Sequence, residues 1–398
     1  MNISHRIVII GGGNAGISVA ARLRKAGEHD VALIEPSSTH YYQPLWTLVG
    51  GGQARVEETA KPEADVIPQG VAWIKATATS VDTEHNLVQL DNGSSIHYEY
   101  LVVAAGIQLD WNGIPGLEEA LKTPQVSSNY SYALAPQTWE GIKNLTSGTA
   151  VFTMPTNPIK CGGAPQKIAY LAADYWREQG VLNDMRVVLV LPSDAMFGVE
   201  EFSRELEKVV ERYGIDVRLS SEATAINSAD QTVRISSLKT DESEDIHYDF
   251  LHVVPPQSAP DWIKKSPLAD PENPLGYVAV DPATLQHREF ENVFSLGDVC
   301  SAPNSKTGAA IRKQAPVLVA NLLSVIRGEH PTARYNGYAS CPLVTSRSTM
   351  LLAEFDYDMR PAPSIPFINT MKERKDMWYL KRYGLPQLYW KAILKGLA

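Results

Sequence analysis

Cysteine is scarce in this chain: three residues in 398. That excludes a secreted disulfide framework and suits a reducing compartment holding one special redox pair. Basic excess is also missing. The net charge of −9 argues against a nucleic-acid partner. No stretch gives 18–20 uninterrupted apolar residues, so a spanning helix is not expected. The N-terminal MNISHRIVII begins a strand almost at once, with no leader pattern. The length exceeds the usual size of one hydrophobic core, so two or three domains are expected.

What is present begins with RIVIIGGGNAGISVAARLRKAGEHDVALIEP. Arg6–Ile10 is a continuous apolar strand of the buried parallel kind. Gly11-x-Gly13-x-x-Gly16 follows, then a helix, then a second strand ending at Glu35. Gly11 permits the tight turn, Gly13 lets a pyrophosphate approach the backbone, and Gly16 lets the helix lie close to the strand. The helix start, with Asn14 and Ala15, offers free N–H groups to the phosphate. Glu35 stands where an acid accepts ribose hydroxyls. Downstream, the strand YLVVAAG ends at Ala105-Gly106, and NVFSLGD ends at Gly297-Asp298, where an aspartate can bond a ribityl chain. This order favours FAD over NAD.

A second βαβ start is incomplete. TAVFTMPTNPIKCGGAPQKIA, residues 149–169, reads as strand, loop and helix start, but the loop lacks G-x-G-x-x-G. NAD(P)H is therefore not expected as donor. The apex of the loop holds Cys161, where a helix start and Lys160 would favour thiolate. No C-x-x-C occupies HYYQPLWTLVGGG, residues 40–52, the place that would mark a disulfide-reductase branch; Gln43 and Pro44 there are expected to pack against the flavin. Cys341, in YNGYASCPLVTS, reads equally as a redox or a packed thiol when taken alone. Cys300 follows Gly-Asp and reads as a core residue. No residue is expected to bind a metal.

KCGGAPQKIAYL, SLGDVCSAPNSKTGAAIRKQAP, YASCPLVTS, LLAEFDYDMRP and EPSSTHYYQPLWTLVGGG together resemble the sulfide:quinone oxidoreductases, most closely the branch that includes the mitochondrial enzyme. The resemblance covers essentially the whole chain. It implies non-covalent FAD, with Gly13, Asn14, Glu35, Gln43, Ala78 and Asp298 contributing and Lys306-Thr307-Gly308-Ala309 at a helix start by the flavin. It raises Cys341 to the second redox cysteine, although other branches carry a further cysteine before the position of Cys161 and this chain has none. The pairing of Cys161 with Cys341 rests on the resemblance, not on spacing. The implied mechanism starts from a resting disulfide or its trisulfide, with one sulfur inserted. Hydrosulfide attacks Cys341 and leaves a persulfide there; Cys161 departs as thiolate toward the flavin. The persulfide sulfur passes to sulfite, glutathione or sulfide, and the electrons pass to membrane quinone.

The resemblance also implies an α/β fold of two Rossmann-like doubly wound domains with a C-terminal membrane-associating region. The expected divisions are 1–120 with 281–335 for FAD, 121–280 for the second domain, and 336–398 for the rest. From Lys372 onward there are seven basic residues against two acids. In DMWYLKRYGLPQLYWKAILKGLA, Pro386 is expected to split the segment, and Tyr389, Ile393 and Leu397 recur at helical spacing as an interfacial face. Removing the tail near Lys372 should then spare FAD. Phe355, Tyr357 and Phe367 are candidates for a quinone wall, with core packing the commoner role. The expected location is peripheral, on the cytoplasmic face of a bacterial inner membrane, with homo-oligomers possible in principle. The competing readings are a type II NADH:quinone dehydrogenase, a flavocytochrome c sulfide dehydrogenase, and a non-catalytic flavoprotein that binds partners through its tail.

Overall fold

A computed structural model describes residues 3–365 and 367–398. Ile7–Ile10 has no polar side chain and is buried throughout, so Ile3–Ile10 lies in the middle of a sheet. It pairs in parallel with Val31–Ile34 on one side and Ser95–Val103 on the other. Ala72–Ile74 extends the first flank; the antiparallel strands Leu87–Leu90 and Ala78–Asp82 extend the second. Val293–Ser295 returns nearly two hundred residues later to pair in parallel with Ser95–Val103. Helices Asn14–Lys25 and Gly308–Ile326 bury Ile17, Leu23, Leu318 and Leu322 in the core this sheet shares. Gly308–Ile326 is long and apolar enough to cross a membrane by length and composition, although Arg312 and Lys313 interrupt its apolar run. Here those leucines are core residues.

Between residues 103 and 293 a second sheet forms from five parallel strands, ordered Val126–Ser127, Phe250–His252, Gly148–Thr153, Met185–Val190, Asp216–Arg218. Helices Ala164–Glu178 and Glu200–Tyr213 cover one face through Ile168, Trp176, Phe202 and Leu206. The antiparallel strands Ser221–Asn227, Thr232–Ser237 and Ser243–His247 cover the other. Two doubly wound α/β units result, as the sequence implies.

The C-terminal part of the chain contributes side chains to both cores. The hairpin Ala339–Val344 with Met350–Phe355 sends Cys341, Leu343 and Phe355 toward the second core and Val344, Met350 and Leu352 toward the first. The tail departs from expectation. Pro386 does not split it: Lys375–Tyr379, a π turn at Leu380–Gly384 and Leu385–Lys391 form one helical path. Proline lacks the N–H and its ring crowds the carbonyl four residues back, and a widened turn just before it relieves both faults. The apolar face is also turned the other way. Tyr389 and Ile393 are buried, while Leu397 is 67% exposed. Leu394 and Ile393 lie in the first core with Ile17 and Leu23, so this face is not free for a membrane. Phe355 is buried, and Tyr357 is pinned through its hydroxyl to the Pro282 carbonyl at 2.8 Å. Phe367 alone of that trio is fully exposed.

Candidate active site

The glycine turn answers each steric demand separately. Gly11 has φ of +103°, and a Cβ there would stand 2.4 Å from the Ala104 carbonyl oxygen. At Gly16 a Cβ would lie 1.8 Å from the Gly11 oxygen, whereas at Gly13 it would meet nothing within 4 Å. The turn is therefore crowded behind and open in front, the shape a pyrophosphate needs. Glu35 is held in place by two backbone donors, Gly12 N–H and Ser37 N–H, each at 2.7 Å. Burial pushes its carboxyl up, against those two bonds.

A second helix start converges on the first. Thr307 caps Gly308–Ile326 by accepting from the Ala310 N–H at 3.2 Å. A Cβ on Gly308 would lie 3.4 Å from the Asn14 amide nitrogen, and one on Gly297 would lie 3.2 Å from Ala15. Two helix N-termini thus face one region, which favours an anion. Asp298 sits beside it; burial pushes its carboxyl up, opposed by Lys306 and Lys160. Lys306 is buried, donates to the Cys300 carbonyl at 3.2 Å and lies 3.8 Å over the Tyr277 ring. Ala105 and Gly106 close the strand end, with Gly106 at φ +69°. Ala78 is buried beside Ile10 and Ile34. Ala309, half-buried, packs against the first core. Cys300 is buried, and its thiol donates to the Gly297 carbonyl.

The two other cysteines meet. Cys161 and Cys341, 180 positions apart, have sulfurs 3.7 Å from each other. Neither is bonded to another cysteine in this structure. Three local features bring them together. Cys161 adopts φ of +53°, a left-handed conformation that costs a non-glycine residue about 1–3 kcal/mol and needs its surroundings to impose it. The Cys161 N–H donates to the Lys306 carbonyl at 2.8 Å, and its own carbonyl accepts from the Ala164 N–H at 2.8 Å and the Tyr130 hydroxyl at 3.3 Å. Finally, Gly163 has no side chain where one would collide: a Cβ there would lie 2.6 Å from the Cys341 sulfur and 2.4 Å from Leu343.

The two thiols are not equivalent. The hydrogen bond between the two sulfurs, aided by Lys167 and Lys381, holds the Cys161 thiol well below its ordinary range against the cost of burial. The same bond, with burial and the neighbouring thiolate, pushes Cys341 well above. The cation responsible is not Lys160. That ammonium donates to the Gln43 amide oxygen at 2.7 Å and sits 5.6 Å over Trp46. Lys167, one turn into the helix, donates to Cys161 at 3.0 Å and stands 3.9 Å from Cys341. Sequence reading missed Lys381. The π turn of the tail delivers it into the site, buried, donating to the Pro44 carbonyl at 3.0 Å. Burial and the nearby Lys167 push it down to about 7. Its only signal in the sequence is a lysine five residues before a proline inside an aromatic helix.

Residues 5–317 match the pyridine nucleotide-disulphide oxidoreductase family. The mitochondrial sulfide:quinone oxidoreductase of Dictyostelium discoideum is 42% identical over 98% of this chain and 86% of its own. The mouse mitochondrial sulfide:quinone oxidoreductase is 38% identical over 98% and 87%. This chain belongs to the sulfide:quinone oxidoreductase family. The solved sulfide:quinone oxidoreductase of Aquifex aeolicus shares the fold, with a TM-score of 0.84, 22% identity, and coverage of 98% of this chain and 92% of that one. FAD is the cofactor of this flavoprotein, and the open front at Gly13, the pinned Glu35 and the paired helix starts fit it. One expectation is overturned. The relatives at high identity are mitochondrial proteins, which contradicts placement on a bacterial inner membrane.

Proposed function

We propose that this sulfide:quinone oxidoreductase oxidises hydrogen sulfide at Cys161 and Cys341 and delivers the electron pair to quinone. The observation that carries the reading is the pair itself: the Cys161 and Cys341 sulfurs lie 3.7 Å apart, with the buried Lys167 ammonium 3.0 Å from Cys161. When bound, FAD takes up two electrons from sulfur and releases them to quinone. Gly11, Gly13, Gly16, Asn14, Glu35, Asp298 and the Lys306–Ala309 segment would hold it.

The residues of the chain do the sulfur chemistry. In the oxidised pair, hydrosulfide attacks the Cys341 sulfur; the S–S bond breaks, a persulfide forms on Cys341 and Cys161 leaves as thiolate. Lys167 neutralises that leaving group at the atom where charge develops, which speeds departure. A nucleophile such as sulfite, glutathione or a second sulfide then takes the outer persulfide sulfur and leaves Cys341 as a thiol. Lys381 adds a second cation next to the sulfurs whenever it is protonated, which favours entry of anionic hydrosulfide.

Membrane contact passes to a different surface from the one the periodicity suggests. Phe367, Tyr379 and Tyr383 are exposed, and Tyr379 and Tyr383 stack with centroids 6.2 Å apart on the outer side of the tail. We infer that these rings, not Tyr389 and Ile393, meet the headgroup layer. The test of the function is anaerobic mixing of the holoenzyme with sulfide and, separately, with NADH. Bleaching of the flavin absorbance by sulfide alone is the expected result; bleaching by NADH alone contradicts it.

A further inference from the structure

His40 lies on the short strand Thr39–Tyr41, is buried, and joins two parts of the chain far apart in sequence. Its Nδ1 is 3.0 Å from the Gly12 carbonyl, in the middle of the glycine turn, and 3.2 Å from Glu63 Oε2. Its Nε2 is 2.6 Å from the hydroxyl of Tyr389 in the C-terminal helix. Burial pushes the Tyr389 phenol well above its ordinary range, so its hydroxyl stays protonated. The ring bridges the Gly12 carbonyl on one side and Tyr389 on the other, and this bridge fixes the direction of that carbonyl.

Glu63 closes the arrangement from behind. Its Oε1 is buried without a partner, and a Cβ on Gly12 would stand 2.7 Å from it and 2.6 Å from the Glu35 side chain. The next turn of the tail repeats the connection on the helix that follows the glycine turn. The Ser18 hydroxyl has the Ile393 carbonyl at 3.4 Å and the Asn14 amide oxygen at 3.3 Å as acceptors for its one proton, and Arg22 donates to the Ala398 carbonyl. Tyr42 packs on the Tyr389 ring at 4.5 Å, and Lys61 lies 4.5 Å over Trp390.

We propose that the C-terminal segment is a latch on the FAD-binding turn, with Tyr389 and His40 as its positioning residues, so that FAD occupancy and tail docking stabilise each other. The coupling is reciprocal by thermodynamic necessity: whatever tightens one must tighten the other by the same factor. The inference rests on FAD binding at the glycine turn, which a reconstitution experiment checks first; failure of the wild-type apoprotein to take up FAD overturns that site and the latch together.

Two measurements test the latch itself. In Tyr389→Phe the ring stays and one hydrogen bond goes. FAD release, followed by recovery of free-flavin fluorescence, should quicken about five-fold, the equivalent of about 1 kcal/mol. The rise in thermal midpoint that FAD gives should shrink. In the wild-type chain, trypsin should cut after the exposed Lys391 and Lys395 at least several-fold faster without FAD than with it. Unchanged FAD release in the variant overturns the proposal, as do equal cleavage rates with and without FAD.

Discussion

Cys161 is strained and partly buried, and its neighbours come from three parts of the chain. Lys167 is the neighbour on the helix that begins just after it, so its removal gives a clean prediction. In Lys167→Met the thiolate absorbance of Cys161, followed in the ultraviolet against pH, should titrate at higher pH than in the wild type; an unmoved titration would show that the Cys341 bond alone holds the charge. Gly163 makes a second prediction. In Gly163→Ala the added methyl overlaps the Cys341 sulfur, and sulfide-dependent flavin reduction should slow by about 10- to 100-fold. A rate equal to wild type would mean that the strand yields without cost. Glycines of the first turn were legible in the sequence because each meets a local backbone demand within a few residues. The sulfur pair was not. Nothing local in YASCPLVTS says that this strand lies against a helix start 180 positions earlier, and Lys160 stood nearer in sequence than the lysine that does the work.

At the scale of the element, periodicity found the tail helix but chose its wrong side. Tyr389 and Ile393 lie on an apolar stripe, and a stripe is the same whether a membrane or a core covers it. What decides is the alternative cover: the helix Asn14–Lys25 and the Tyr42 ring are there to take it. The consequence reverses the earlier expectation for truncation. A chain ending near Lys372 loses Lys381 from the sulfur site and Leu394 from the first core, so it should bind FAD more weakly and unfold at lower temperature; a truncated protein with undiminished FAD would contradict the packing described above. The outer side of the same helix carries the membrane prediction. Replacing Phe367, Tyr379 and Tyr383 together by alanine should lower sedimentation with lipid vesicles about ten-fold or more while leaving FAD in place.

Across the whole molecule, two α/β units and a C-terminal segment meet at one point. The α/β class and the order of the two nucleotide-type starts were legible because continuous apolar strands and glycine punctuation are local signals. The meeting point was not, since it depends on which loop faces which. Lys381 shows the cost of that assembly. Its amine is pushed down to about 7 from an ordinary 10.5. Between those values the unfolded chain binds a proton that the folded chain does not, so stability rises with pH across this window and the penalty is fullest below about pH 7. Lys381→Met should flatten the dependence of the thermal midpoint on pH between 7 and 10 and raise the midpoint at pH 6; an unchanged slope would place the titration elsewhere.

The central claim is that electrons leave sulfide through Cys161 and Cys341 together. A single-turnover experiment addresses it directly: Cys161→Ser and Cys341→Ser holoenzymes, each with FAD bound, mixed anaerobically with sulfide while the flavin absorbance is followed. Neither should bleach on the timescale on which the wild type bleaches. Bleaching at the wild-type rate in either variant would contradict the account.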